Sequence, residues 1–217
     1  MEDSMNIGHM RVSYTKGALE PSDVGNDPFL FFEKWFEQAK QDPHIREANA
    51  MSLCTLGVNG FPQARIVLLK DYSSAGFIFY TNFESKKGKS IAHHQQVSLS
   101  FFWPSLEQQV HIDGRAEKID KTTATNYFQS RPKGSQLGAW ASHQSQEVES
   151  REFLADRLAL LEKKYADQDV LPKPDFWGGY RVVPERFEFW QGRPNRLHDR
   201  VELILNNNKW TARRLSP

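Results

Sequence analysis

The chain has a single cysteine, Cys54, among its 217 residues. That excludes an intramolecular disulfide and any zinc or iron–sulfur site built on several thiolates. An excess of one charge is also missing: 28 Lys plus Arg stand against 27 Asp plus Glu, for a formal net charge of +1. A nucleic-acid partner held by bulk charge would call for a clear basic excess, so that class is set aside. Mean hydropathy is −0.64. The longest charge-free segments, such as Ile91 to Leu106, are interrupted by His, Gln, Ser and Pro. None approaches the roughly 18 consecutive apolar residues of a membrane helix. The opening MEDSMNIGHMR has no apolar stretch of the secretory kind, so a soluble, cytoplasmic protein is expected.

Several motifs of well-known chemistry are absent as well. Neither G-x-G-x-x-G nor G-x-x-x-x-G-K-[ST] occurs, so the two common phosphate-cradling loops are missing. There is no H-E-x-x-H and no G-x-S-x-G. His93-His94 reads as a solvated pair at a helix end and His111 with Asp113 as a surface pair, so no metal site is expected. Cys54 lies in an apolar strand and reads as an inert core thiol.

What is present begins with a lead-in, residues 1–26, that mixes Gly, Pro, Asp and Ser without a sustained period; it reads as a loosely packed arm. A single domain, 27–217, is expected to follow. Asp27-Pro28 suits the start of a helix, and Phe32, Trp35, Phe36 and Ala39 follow at i, i+3, i+4, i+7. From Met51 the pattern changes to strands: 51–57, 62–70, 76–81, 97–103 and 108–119. Ser85 can cap a short helix through His93. Helices are expected over 122–130 and over 147–165, the second with Leu154, Leu158, Leu161 and Tyr165 on one face. Three closing strands (179–183, 186–190 and 200–205) precede a turn at Asn206–Asn208 and a last strand, 209–215. About eight short strands with a few helices between them suggest a mainly β, α+β fold, an antiparallel barrel with helices outside.

Four clusters of donors stand out. Arg196, His198 and Arg200 alternate, so an extended backbone puts all three on one face, with Asp199 pointing away. Such a row repels itself unless an anion or a π-system lies opposite, although a solvated strand edge gives the same pattern. In QARIVLLK, 63–70, both faces carry apolar residues, so the strand is expected to be buried, and Arg65 and Lys70 then need partners. Structural salt bridges or snorkelling ends would serve equally. Ser85-Lys86-Lys87 places two lysines at a helix N-terminus, where an anion would be favoured; a solvated pair is the alternative. Tyr127, Arg131 and Ser135 offer the donor types that grip a phosphate monoester, or else an Arg capping helix carbonyls. Taken together, the clusters suggest a barrel that binds two small phosphorylated molecules.

On these residues the chain resembles the pyridoxine/pyridoxamine 5′-phosphate oxidase family. The signature is FEFWQ-x-x-x-x-RLHDR, Phe187 to Arg200. RVSYTKG (11–17), RIVLLK (65–70), YTN (80–82), YFQSRPKGSQLGAWAS (127–142), HQS (143–145) and FWGGYRV (176–182) match in the same order along the chain. The resemblance implies an FMN-binding split β-barrel with peripheral helices, forming a homodimer with FMN at the subunit interface. Strands 175–217 would contribute to the dimer and the active site. It implies O₂-dependent oxidation of pyridoxine and pyridoxamine 5′-phosphates to pyridoxal 5′-phosphate, by hydride transfer from substrate C4′ to flavin N5, with release of H₂O₂.

By the same resemblance, FMN would be held by Arg65, Ile66, Val67, Leu68, Leu69, Lys70, Tyr80, Thr81, Lys86, Lys87 and Gln109. Gln144, Ser145, Trp190 and Arg200 match further flavin contacts, some of which the family draws from the partner subunit. Lys70, Tyr127, Arg131 and Ser135 match a pocket for the substrate's 5′-phosphate. Arg196 and His198 match a catalytic pair over the pyridine ring with Leu197 between them, and Arg11, Val12, Ser13 and Tyr14 match a covering arm. Two positions depart from the family pattern: Lys86 and Gln108 stand where Arg is frequent, and Lys86 could weaken the grip on FMN. A phenazine-pathway oxidase on the same barrel, or a non-catalytic flavin or pyridoxal-phosphate carrier, are the alternatives.

Overall fold

The computed structural model describes residues 7–217. Residues 1–6, where the expected arm begins, lie outside the described residues. The elements are, in chain order, α1 Pro21–Val24, α2 Pro28–Gln41, β1 Ala50–Leu56, β2 Pro62–Leu68, β3 Asp71–Ser73, β4 Gly76–Asn82, α3 Lys86–His93, β5 Gln96–Trp103, β6 Gln108–Lys118, α4 Lys121–Ser130, α5 Lys133–Ala141, α6 Arg151–Lys164, β7 Trp177–Gln191, β8 Asp199–Asn206 and β9 Lys209–Leu215. The mainly β, α+β class expected from the sequence is the one observed. Contacts divide the chain into two compact units. One comprises the segment ending at Ala48, Phe101–His111 and Arg186–Pro217; the other comprises Asn49–Ser100 and Ile112–Glu185.

In the second unit the hydrogen-bonded strand order is β2-β1-β5-β6-β7-β4-β3. β1 pairs antiparallel with both β2 and β5, and β4 pairs antiparallel with β7 from Phe77↔Val182 to Asn82↔Trp177. Alternation on these strands buries Met51, Leu53, Leu99, Phe77, Phe79 and Val182. A satellite cluster of Phe128, Leu137, Tyr165, Leu171 and Trp177 packs α4, α5 and the end of α6 together. Helix starts follow local capping chemistry: Ser85 Oγ accepts from Gly88 N at 3.3 Å, Asp120 from Thr123 N at 2.8 Å, and Ser150 from Phe153 N at 3.1 Å.

In the first unit Asp27 accepts from the Phe29 and Leu30 amides, and α2 buries the expected Phe32, Trp35, Phe36 and Ala39, together with Phe31. Phe32 meets Phe101 at 5.2 Å and Phe31 meets Phe189 at 4.8 Å, both edge-on. The lead-in is not loose here. Glu107, itself in the left-handed region at φ 56, accepts the Thr15 and Lys16 amides at 2.8 and 2.9 Å. Asp199 accepts the Leu19 amide at 3.0 Å, and Leu19 is buried.

Several expectations are corrected. The two strands expected over 179–190 are one, β7, which changes partner: residues 177–182 pair with β4 and 186–191 with β8. Pro184, which has no N–H to offer, falls between these two pairings. β2 is an edge strand rather than a buried one, and Ile66 is 67% exposed. Cys54 is half-buried rather than a core thiol. α5 and β3 had no counterpart in the sequence reading, and the helix expected from residue 147 starts at Arg151.

The buried carboxylates of β7 and β8 are paired. Glu188 takes Arg186 and Arg200, and Glu202 takes Arg186 and Arg213, linking β7, β8 and β9. Burial works to raise the Glu202 carboxyl pKa, and the hydrogen bonds from Arg186 and Arg213 outweigh it, holding it below the usual value. A carboxyl so depressed contributes stability that is present above the unfolded pKa of about 4.3 and lost as pH falls through the lower folded value. Glu202→Gln is therefore expected to cost about 1–3 kcal/mol at neutral pH. In urea melts at pH 7 and pH 3.5, its deficit relative to wild type should shrink at the lower pH; an equal deficit at both would contradict the pairing.

Candidate active site

A cavity of about 750 Å³ opens in the second unit. β2 contributes Arg65, Ile66, Val67 and Leu68, with Lys70 just beyond it; β4 contributes Tyr80, Thr81 and Asn82. Lys87 comes from the first turn of α3, Tyr127 from α4, Arg131 and Ser135 from the junction of α4 and α5, and Gln144 and Ser145 from the loop after α5. Among the described residues four cations line this cavity and no carboxylate does. The expected residues Arg65–Leu68, Lys70, Tyr80, Thr81, Lys87, Tyr127, Arg131, Ser135, Gln144 and Ser145 are thus brought together.

The cations are held by neutral groups. Arg65 donates from Nη1 to Leu53 O at 3.1 Å and Thr55 Oγ1 at 2.7 Å, and from Nη2 to Gln63 Oε1 at 3.3 Å. Lys87 Nζ donates to Gln144 Oε1 at 2.9 Å, which Thr81 Oγ1 also approaches at 3.5 Å. Burial lowers the pKa of both Arg65 and Lys87, and Arg65 adds repulsion at Lys87. The salt bridges that the sequence allowed for Arg65 do not form.

Arg131 is the C-cap of α4, its amide donating to Phe128 O at 3.3 Å, but its guanidinium is directed elsewhere. Its Nη2 donates to Ser135 O at 2.9 Å, while the guanidinium carbon lies 5.0 Å from the Trp177 ring centre and 5.6 Å from that of Phe128. Nη1 is buried without a hydrogen-bond partner among the described residues, and burial lowers the group's pKa. Tyr80 and Tyr127 stack at 3.9 Å, with Trp177 5.3 Å from Tyr80. A Cβ on Gly179 would come 3.0 Å from the Tyr80 ring, which would have to shift by a few tenths of an ångström to make room for it.

A second cavity, of about 590 Å³, lies in the first unit. Arg11, Val12, Ser13, Tyr14, Arg196 and His198 line it, with Met10, Arg193 and Asn195. The expected alternation of Arg196, His198 and Arg200 on one strand face is not observed. Asn195 and Arg196 form a turn at φ 57 and 63, and β8 begins only at Asp199. Asp199, expected to leave Arg196, His198 and Arg200 unneutralised, pairs instead with Arg193 at 3.3 Å and Arg214 at 2.9 Å. Arg200 pairs with Glu188 at 2.7 Å and donates to Ser216 O, and it lines neither cavity.

The remaining expected residues are placed as follows. Leu69 is buried beneath the end of β2, Lys86 is exposed on α3, and Leu197 is 68% exposed. Gln109 is half-buried on β6. The Trp190 ring lies 4.7 Å from that of His198 and 5.8 Å from that of Tyr14. Gln108 is buried and donates to Gln191 Oε1 at 3.2 Å. Sequence reasoning missed Asn82, Gly138, Ala139, Ser142 and Trp177 in the first cavity and Met10, Arg193 and Asn195 in the second. The only signal for Trp177 and Asn82 was their presence in the matched FWGGYRV and YTN segments.

Residues 37–165 match a family model described as pyridoxamine 5′-phosphate oxidase. Residues 177–217 match one described as the pyridoxine 5′-phosphate oxidase C-terminal dimerisation region. A pyridoxine/pyridoxamine 5′-phosphate oxidase of Synechocystis sp. PCC 6803 is 48% identical over 99% of this chain and 100% of its own length. Another, from Rippkaea orientalis PCC 8801, is 49% identical over 98% and 100%. Among solved structures, PhzG from Burkholderia lata 383, in complex with tetrahydrophenazine-1-carboxylic acid, aligns with a TM-score of 0.86 at 28% identity, over 95% of this chain and all of its own. An FMN-binding protein related to pyridoxamine 5′-phosphate oxidase, from Nostoc punctiforme PCC 73102, shares the fold at a TM-score of 0.69 and 13% identity, over 89% of this chain and all of its own.

Desolvated cations with no facing carboxylate should be relieved by a small dianion. Inorganic phosphate at constant ionic strength is expected to raise the melting temperature by a few degrees at saturating concentration. Arg131→Met should reduce that rise. A shift no larger than chloride produces would rule out an anion site.

Proposed function

Because the chain belongs to the pyridoxamine 5′-phosphate oxidase family, we propose that it oxidises pyridoxine 5′-phosphate and pyridoxamine 5′-phosphate to pyridoxal 5′-phosphate, with FMN as cofactor, in vitamin B6 metabolism. The observation that carries this reading is the carboxylate-free cavity in which Arg131 keeps a buried, unpartnered Nη1. A buried guanidinium nitrogen without an acceptor is costly, and a phosphate oxygen is the acceptor its geometry suits best. Lys70, Tyr127 and Ser135 complete that grip.

The same cavity fits a flavin phosphate, because Arg65 and Lys87 are cations satisfied only by neutral acceptors. Arg65 to Lys70, Tyr80, Thr81, Lys86, Lys87, Gln109, Gln144, Ser145, Trp190 and Arg200 are assigned to FMN. When bound, FMN supplies the two-electron acceptor, which O₂ reoxidises with formation of H₂O₂. Arg196 and His198 serve the pyridine ring: Arg196 orients it and favours the reacting geometry electrostatically, and His198 assists. Leu197 and Arg11 to Tyr14 complete the substrate contacts. The working form is a cytoplasmic homodimer with FMN at the subunit interface. Each subunit comprises an arm, 1–26, and one functional domain, 27–217. The phenazine reading has the likeness to PhzG behind it, but the relatives acting on vitamin B6 phosphates are closer in sequence, and the Arg131 grip suits a phosphate monoester.

Purified protein should show a flavin spectrum and consume O₂ with pyridoxine 5′-phosphate. A colourless protein that does not take up FMN would sink the reading; a yellow one without turnover would favour a carrier. Arg131→Ala should raise KM by about tenfold or more with a much smaller change in kcat, since a remote phosphate grip is largely uniform binding. Arg196→Ala should lower kcat/KM by about a hundredfold, and an unchanged value would remove its orienting role.

A further inference from the structure

The second cavity contains a hydrogen bond whose direction limits the chemistry available to it. The backbone N–H of Arg193 donates to His198 Nδ1 at 3.1 Å. An amide N–H can only donate, so Nδ1 must present a lone pair, and the ring proton then sits on Nε2. An imidazolium has no lone pair at Nδ1, so this bond belongs to the neutral ring. Trp190 and Tyr14 lie 4.7 and 5.8 Å from the imidazole centre and hold its plane.

The donating amide is itself held in place. Arg193 Nη1 donates to Gly17 O at 2.6 Å, and Nε pairs with Asp199 at 3.3 Å. Asp199 in turn takes the Leu19 amide and Arg214, so the arm, the 193–198 turn and β9 meet on one carboxylate. His198 Nε2 has no hydrogen-bond partner among the described residues, and His198 lines the cavity.

We propose that Arg193 is a positioning residue that locks His198 as an Nε2–H donor. His198 then binds an acceptor oxygen of the substrate and does not take a proton from it. This rests on the oxidase reading above for the identity of the substrate, while the tautomer itself does not.

Imidazole ¹⁵N–¹H correlation spectra of the ¹⁵N-labelled, FMN-loaded protein test the lock, with the His198 signals identified by their loss in His198→Gln. A protonated Nε2 with an unprotonated Nδ1 is expected; a ring protonated on Nδ1, or exchanging tautomers, overturns the proposal. Arg193→Ala keeps the amide but removes both side-chain ties, so exchange between tautomers is expected there. A single unchanged tautomer in that variant would deny Arg193 its positioning role. In turnover, glutamine places an amide N–H near the Nε2 position and asparagine does not. Both variants should be impaired, with His198→Gln at least about tenfold above His198→Asn in kcat/KM. Equal values would overturn the donor role. Absence of flavin or of turnover in the wild type would strike the oxidase reading and leave the tautomer result standing.

Discussion

A cation drawn out of water needs an opposite charge, a set of neutral acceptors or a ligand, and the arginines of this chain are sorted by which they receive. On β7, β8 and β9 the answer is carboxylate: Glu188 and Glu202 are shared among Arg186, Arg200 and Arg213. Arg65 receives a carbonyl, a hydroxyl and a side-chain amide. Arg131 receives one carbonyl and two aromatic faces, and a nitrogen is left over. A net charge of +1 hides this sorting, because near-neutrality overall is compatible with acids gathered on one ladder and none along a cavity. Function follows from the placement: a cavity whose positive charge is unmatched selects small anions, whereas a matched ladder only holds strands together.

How much of this could be read beforehand depends on how local the information is. The starts of α2 and α3 were legible because Asp27 and Ser85 cap amides two or three residues away. The burial of Phe32, Trp35, Phe36 and Ala39 was legible from period alone. α5 was not, because Pro132, Gly134 and Gly138 speak against a helix there. What holds it is non-local: Gln136 bonds the Gln129 and Arg131 carbonyls and the Leu171 amide, and Leu137 enters the Phe128–Trp177 cluster. β2 looked buried because both of its faces are apolar, but strand order, not composition, decides which strand is an edge.

The site divides the same way. Arg65 to Leu68 with Lys70, and Tyr127, Arg131 and Ser135, are clusters within single segments, and they do converge on one cavity. The R-x-H-x-R row failed because alternation presumes an extended backbone. Asn195 takes the left-handed region readily, but Arg196 at φ 63 does so at a cost of roughly 1–2 kcal/mol. A strained backbone at a residue lining a cavity is the usual companion of a side chain that must point one way. Asp199 leaves that row alone, as expected, but its own partners were not legible, because Arg214, Arg193 and the Leu19 amide come from three separate stretches of chain.

The least visible part of the site is the one with no side chain. A Cβ at Gly179 would crowd Ile119 at 2.6 Å and the Tyr80 ring at 3.0 Å. With hydrogen there instead, Tyr80 lies on the β7 backbone, Tyr127 stacks on Tyr80 at 3.9 Å, and Trp177 stands beside them at 5.3 Å. Trp177 then offers its face to Arg131 at 5.0 Å. The guanidinium is thus aimed by ring contacts and one carbonyl rather than by a counter-ion. That difference matters for binding, since a carboxylate in the same place would hold Arg131 as firmly and cancel the charge a ligand must find. Aromatic support places the cation and leaves its field intact.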